Sequence, residues 1–197
     1  MQSRPAAERR EELVALYKEA KACERCPLHA TRTQVVFGAG NADADLMFVG
    51  EAPGQQEDLQ GLPFVGRAGK LLDQLLEEDG LKREDVFITN VVKARPPGNR
   101  DPKAAEVAHH RPWLERQLAL IRPEVVIPVG RHALAHFAPG RKITEVHGAV
   151  LAAGDWRLVP WLHPAAALRS PGLRETLFQD ARALPGILEA ARASRRA

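Results

Sequence analysis

A three-layer α/β fold, with helices on both sides of a central and largely parallel sheet, follows from three features of the sequence. Short runs without polar alternation, at 46–49, 86–92 (interrupted only by Thr89 and Asn90) and 125–129, alternate with longer stretches of helical periodicity. A strand without polar alternation is buried on both faces, which is the condition of a parallel sheet covered by helices. Strand and helix alternate along the chain with no block of consecutive strands, and this selects α/β over segregated or all-β architectures. Size is the third feature. A chain of 197 residues, 45% apolar and 27% charged, suits one globular domain over 1–197 with a full core, and neither disorder nor a membrane protein.

The elements follow in order. Residues 6–22 place Leu13, Leu16, Tyr17 and Ala20 at helical spacings, and this amphipathic helix ends in a C-x-x-C segment at Cys23 and Cys26. After a loop with Gly38 and Gly40, the run 46–49 stops at Gly50 and gives way to the loop GEAPGQQED. Leu71, Leu72, Leu75 and Leu76 keep helical register across 68–78, with Gly80 as the stop. The second apolar run carries Asn90 near its end and enters KARPPGNRDP, which adjacent prolines and a glycine keep out of helix and sheet. Helical spacing resumes over 104–121, a third strand at 125–129 closes on Gly130, and a helix over 131–137 follows. Segments 142–150 and 158–162 read as further strands, the second ending on His163-Pro164. A last helix spans 172–184, and ARASRRA at 191–197 reads as a loose tail.

The formal charge of +3 suits a nucleic-acid partner but does not demand one. The charged N-terminus MQSRPAAERREEL lacks the apolar core of an export signal. No apolar run approaches the roughly 18 residues of a membrane helix, so the sequence reads as a cytoplasmic monomer without a membrane partner. Cys23 and Cys26 are the two cysteines of the chain, and in an intracellular protein their spacing points to a metal or redox role before a disulfide.

In open α/β sheets, ligands bind beyond the carboxyl ends of the strands. Three loops begin at such ends: GEAPG at 50–54, TNVVKARPPGNR at 89–100 and HPAAALR at 163–169. Each has an ordinary structural explanation, as a glycine-proline turn, an asparagine cap or a strand stop. Their joint order, with CPLHATRTQVVFGAG before them and GLPFVGRAGKLLDQLL between the first two, is more specific. These segments resemble the family 4 uracil-DNA glycosylases along almost the entire chain.

The resemblance implies the uracil-DNA glycosylase-like sandwich and an enzyme that removes uracil from single- or double-stranded DNA by cleaving the base-sugar bond. Such an enzyme must rotate the nucleotide out of the stack into a pocket. Phe64 offers the flat apolar surface, worth about 1–3 kcal/mol per stacked base. Asn90 carries a donor and an acceptor for the O4 and N3–H edge of uracil and mismatches cytosine. Glu57 crowds C5 and excludes the methyl group of thymine. His163 donates to uracil O2, where negative charge gathers as the bond lengthens. Gly50, Glu51 and Ala52 line the first motif, where main-chain amides hold the uracil oxygens and Glu51 orients water. Ala52 stands where the related family 1 enzymes have an aspartate, so a dissociative reaction is expected, with bond cleavage ahead of water attack. Lys93, Arg95, Arg100 and Arg169, assisted by Arg67 and Lys70, are expected on DNA phosphates, and residues near Leu168 and Gly172 in the gap left by the flipped base.

The resemblance also implies a 4Fe-4S cluster on four ligands, a C-x-x-C pair and two further cysteines flanking the basic loop. Cys23 and Cys26 match the pair, whereas the other two positions are Ala94 and His110, the latter preceded by His109. Alanine has no donor, so three accounts stand open. One is a cluster on Cys23, Cys26, His110 and a non-protein or displaced fourth ligand. Another is zinc, with His109 or His29 as the extra donor. The last is no metal, in which case packing by Trp113 and the prolines holds the loop. The rival function is a non-catalytic or altered-specificity DNA-binding member of the same superfamily.

Overall fold

A computed structural model describes residues 5–154 and 156–196; the first four residues of the charged N-terminus, like Asp155 and Ala197, lie outside them. The helices are α1 (Ala6–Ala22), α2 (Gln55–Gln60), α3 (Arg67–Glu78), α4 (Ala104–Ile121), α5 (Arg131–Phe137), α6 (Ile143–Val146), α7 (Pro164–Ala167), α8 (Pro171–Arg182) and α9 (Leu184–Arg196). The strands are β1 (Ala39–Gly40), β2 (Leu46–Gly50), β3 (Phe87–Asn90), β4 (Val125–Pro128), β5 (Leu151–Ala153) and β6 (Trp156–Leu158). They form one sheet in the order β1-β3-β2-β4-β6-β5. The four inner strands run parallel, and short β1 and β5 close the edges antiparallel.

The uniformly apolar strands divide their side chains between two cores. Leu46 and Phe48 of β2 face a cluster with Leu72 and Leu75 of α3, Leu177 of α8 and Trp161. Met47 and Val49 face another with Leu13 and Leu16 of α1 and Leu114 and Leu118 of α4. Helices therefore cover both faces, and the three-layer sandwich is the observed architecture.

Four local expectations are corrected. GEAPGQQED is loop only to Gly54, because QQED opens α2 with Glu57 and Asp58 in its first turn, where carboxylates favour the helix N-terminus. Segment 142–150 contains α6 and no strand: Ile143 and Val146 are three residues apart, which fits one helical turn, and Gly148 ends it with φ of 71°. Run 158–162 is regular strand only at Leu158, beyond which it keeps pairing with β4 through Val159 and Trp161 N–H to Val126 and Pro128 O at 3.0 and 2.9 Å and a bridge between Val129 and Trp161. The expected loose tail is helical through Arg196. Pro185 sits in the first turn of α9, where its missing N–H costs nothing, and Leu184, Leu188 and Ala191 bury one stripe. No helix among the described residues is long and apolar enough to cross a membrane.

Candidate active site

The carboxyl ends of β2 and β3 meet at Gly50 and Asn90, which are register partners, and Val91 N–H donates to Gly50 O at 2.9 Å. The Asn90 side chain is 2% exposed, and no described residue hydrogen-bonds its amide. A Cβ on Gly50 would stand 2.3 Å from Asn90 Oδ1 and 2.7 Å from the Phe64 ring. The bare Cα of Gly50 is therefore what lets Asn90 and Phe64 converge.

Phe64 has φ of 51°, a left-handed backbone that a bulky residue adopts only under constraint. Three contacts impose it. Arg83, ion-paired with Asp73, donates to the carbonyls of Pro63 and Phe64. Gly69 of α3 has no Cβ, and one there would fall 1.8 Å from the Phe64 oxygen. Glu57 Oε1 accepts the N–H groups of Val65 and Gly66 at 2.9 and 2.8 Å. Glu57 lines the same cavity, but one carboxylate oxygen is committed to shaping the phenylalanine loop. Asp58 of the same motif is structural: it is buried and accepts from Thr33 N–H at 2.9 Å.

His163 caps the N-terminus of α7, its Nδ1 accepting the Ala165 N–H at 3.1 Å. With Nδ1 used as an acceptor, the neutral ring carries its proton on Nε2, which makes that atom a donor. Burial, then the neighbouring His132, lowers the His163 pKa, so the ring is neutral around pH 7. Its ring lies 6.1 Å from that of Phe64 at an interplanar angle of 28°.

Glu51, Ala52, Glu57, Phe64, Asn90 and His163 together line a cavity of about 430 Å³, with Arg100, Asp101 and Arg169 at its walls. Glu51 Oε1 is buried without a hydrogen-bond partner, and burial raises the Glu51 pKa against the opposing charge of His132. His132 and Asp101 went unread in the sequence. His132 Nδ1 is 3.8 Å from Glu51 and its Nε2 is 3.2 Å from Asp101, while Arg131 lies 3.6 Å from Asp101. The guanidinium makes this an ion-paired cluster. The signal was available, since Arg131-His132 follow Gly130 at the end of the third parallel strand, where the carboxyl-end rule also applies.

The expected DNA-binding cations separate. Arg169 is exposed at the cavity, and Arg100 lines it while paired through both nitrogens with Glu106 at 2.9 and 2.7 Å. Arg95 is half-buried beside Asn99, and Arg67 and Lys70 are exposed on α3. Lys93 is a correction. It is fully buried, with Nζ donating to Thr89 Oγ1 at 2.7 Å, Asn90 O at 2.6 Å and Gln117 Oε1, so it cannot reach a phosphate.

The residues do not fit a four-iron cluster. Ala94 is buried and offers no donor. His110 Nδ1 accepts the Lys93 main-chain N–H at 3.4 Å and its buried Nε2 has no hydrogen-bond partner, so His110 offers one ligand atom where the cluster needs a second from the position of Ala94. Cys23 Sγ lies 3.4 Å from His109 Nε2, but among the described residues no trio drawn from Cys23, Cys26, His109 and His110 brings its ligand atoms within 4.8 Å of one another. His29 is instead near Glu24, at 3.9 Å.

Burial, reinforced by His109, lowers the His110 pKa from 6.5 to about 3. The unfolded chain then takes up a proton that the folded one refuses. Stability is fully present above pH 6.5 and falls progressively toward about pH 3, by roughly 5 kcal/mol at most. Urea midpoints measured from pH 7 down to pH 4 should show the decline, and His110→Gln should flatten it. Equal slopes in the two proteins would assign the decline to other groups.

A family model described as the uracil DNA glycosylase superfamily matches residues 37–183. A type-4 uracil-DNA glycosylase of Thermotoga maritima is 47% identical over 180 residues, covering 87% of this chain and 92% of that protein. The type-4 enzyme of Archaeoglobus fulgidus is 46% identical, covering 86% and 90%. That of Saccharolobus solfataricus is 44% identical, covering 83% and 81%.

Proposed function

The chain belongs to the type-4 branch of the uracil DNA glycosylase superfamily, and from that premise we propose that it hydrolyses the N-glycosidic bond of deoxyuridine in DNA, releasing uracil and leaving an abasic site. The observation that carries this reading is the convergence of Phe64, Asn90 and His163 on one cavity around the bare Cα of Gly50.

The flipped base stacks on Phe64 and presents its O4 and N3–H edge to the Asn90 amide. Cytosine reverses that donor-acceptor pattern and leaves buried polar groups unpaired, which is the costly outcome. As C1′–N1 breaks, its electron pair passes to the base and negative charge gathers on O2. His163 Nε2–H is oriented to meet that charge as a neutral donor. Water then bonds to C1′ of the oxocarbenium ion and loses a proton. The unpartnered Oε1 of Glu51 suits a group that orients this water, with His132 beside it.

A dissociative reaction asks little of a base, so Glu51→Gln is expected to lower uracil release about tenfold or less; a loss of about 100-fold or more would make Glu51 an essential base. Arg100 and Arg169 supply phosphate contacts at the cavity, and exposed Leu168 beside Arg169 is the wedge for the vacated base position. One chain supplies all these groups, so the proposed chemistry calls for no residue from a second copy. The deciding experiment incubates the protein with single- and double-stranded oligonucleotides carrying one uracil. Free uracil and alkali-labile sites are expected, with neither from thymine or cytosine controls. Binding without release would instead favour a non-catalytic DNA module.

A further inference from the structure

Resting on the glycosylase reading, we infer that Lys93 is a positioning residue for Asn90, and that Lys93 and His110 clamp the loop between β3 and α4 onto α4 by protein contacts alone, without a metal.

The donor count supports the assignment. Thr89 Oγ1 gives its hydrogen to Phe37 O at 2.7 Å, and Gln117 Nε2 donates to the same oxygen at 2.9 Å. What remains facing Lys93 Nζ is three acceptors, Thr89 Oγ1, Asn90 O and Gln117 Oε1, which match the three N–H bonds of an ammonium. Burial drives that ammonium toward neutrality, and full hydrogen bonding beside the Phe37 ring opposes it. Asn90 is thus fixed on both sides: its successor's N–H bonds Gly50 O, and its own carbonyl is held by Lys93.

Further contacts complete the clamp. The Lys93 N–H donates to His110 Nδ1, and Val36 N–H donates to Lys93 O at 2.8 Å. At the far end of the loop, Glu106 of α4 accepts both Arg100 nitrogens and the Lys103 N–H at 2.8 Å. Polar contacts to α4 join the apolar packing of Val92 and Ala94, in a cluster against which Trp113 also packs, to hold the loop where the family resemblance calls for an iron-sulfur cluster.

Single-turnover uracil release and DNA binding test Lys93→Met in the full chain. The expected result is a rate at saturating enzyme about a hundredfold lower, as for a reading group displaced by an ångström, with Kd and its salt slope unchanged. Weaker binding with a shallower salt slope and an unchanged rate would overturn the proposal, because a phosphate contact behaves that way. Should Lys93→Met fail to fold, Gln117→Met leaves two acceptors in place and is expected to slow release about tenfold; an unchanged rate again counts against the assignment.

Two readouts do not depend on activity. An exchange-protected lysine ammonium signal in 15N NMR of the wild-type protein is expected, and its absence would contradict the buried ammonium. Anaerobically purified protein should hold neither iron nor zinc in stoichiometric amount, and either metal would overturn the metal-free clamp. A wild-type protein that releases no uracil yet passes both would sink the glycosylase reading and leave the clamp standing.

Discussion

His163→Ala is expected to slow single-turnover uracil release by roughly 100- to 1000-fold, the usual cost of removing one preorganised donor from a developing oxyanion. The expectation comes from a proton position. Ala165 N–H occupies Nδ1, so a neutral His163 has only its Nε2–H to offer, and burial keeps the ring neutral by lowering its pKa. DNA affinity should change little, because the donor acts on charge that exists only as the bond breaks. The pH profile gives an independent check. A neutral donor works at a constant level above the ordinary histidine pKa, and the rate changes only when acid protonates Nδ1 and breaks the Ala165 contact that orients the ring. If instead the imidazolium were the catalyst, the rate would climb as pH falls through about 6.5. His163→Gln keeps an N–H in the neighbourhood and should recover part of the loss; recovery equal to alanine's residual rate would argue that ring stacking with Phe64 matters more than the donor.

Gly50→Ala is expected to abolish most activity while leaving the fold nearly as stable. The added Cβ would lie 2.3 Å from Asn90 Oδ1 and 2.7 Å from two Phe64 ring atoms. These are far ends of side chains, so they can swing away without moving β2 or β3. The cost is borne by the site: the uracil-reading amide and the stacking ring are both displaced from one point. A loss of 100-fold or more in release, with a shift in melting temperature of only about 2–4 °C, is the expected pair of results. Normal release by Gly50→Ala would mean that the flipped base does not occupy the space between Asn90 and Phe64.

The motif residues of the pocket were legible because strand-end loops announce where a site forms and the joint order of the motifs resembles one family. Asn90 and His163 sit at or just beyond strand ends that uniformly apolar runs announce, and Phe64 sits in a loop whose glycines and proline have few structural alternatives. The same local reading misplaced Lys93. A lysine next to RPPGNR reads as part of one basic surface, yet Thr89, Asn90 and Gln117 draw its Nζ inward. Gln117 is 24 residues away on α4, and nothing in the loop itself indicates that its side chain will be there. Asp101 and His132 escaped for the same reason, since Asp101 is the one acid of a loop read for its basic residues, His132 stands in no recognisable motif, and their meeting depends on the loop after β3 folding against the start of α5.

The sequence by itself determined the layered parallel sheet and the strand ends at which the cavity forms, because periodicity and turn residues encode these within a few positions; the roles expected of Phe64, Asn90 and His163 came from the resemblance of their motifs to the family. Only the tertiary structure decided which atom of each group remains available. The Nε2 proton of His163, the occupied Nδ1 of His110 and the inward-facing Nζ of Lys93 are all set by hydrogen-bond partners from the packed main chain and neighbouring helices. Hydrogen bonding depends on distance and direction in the folded chain, and residue order alone specifies neither.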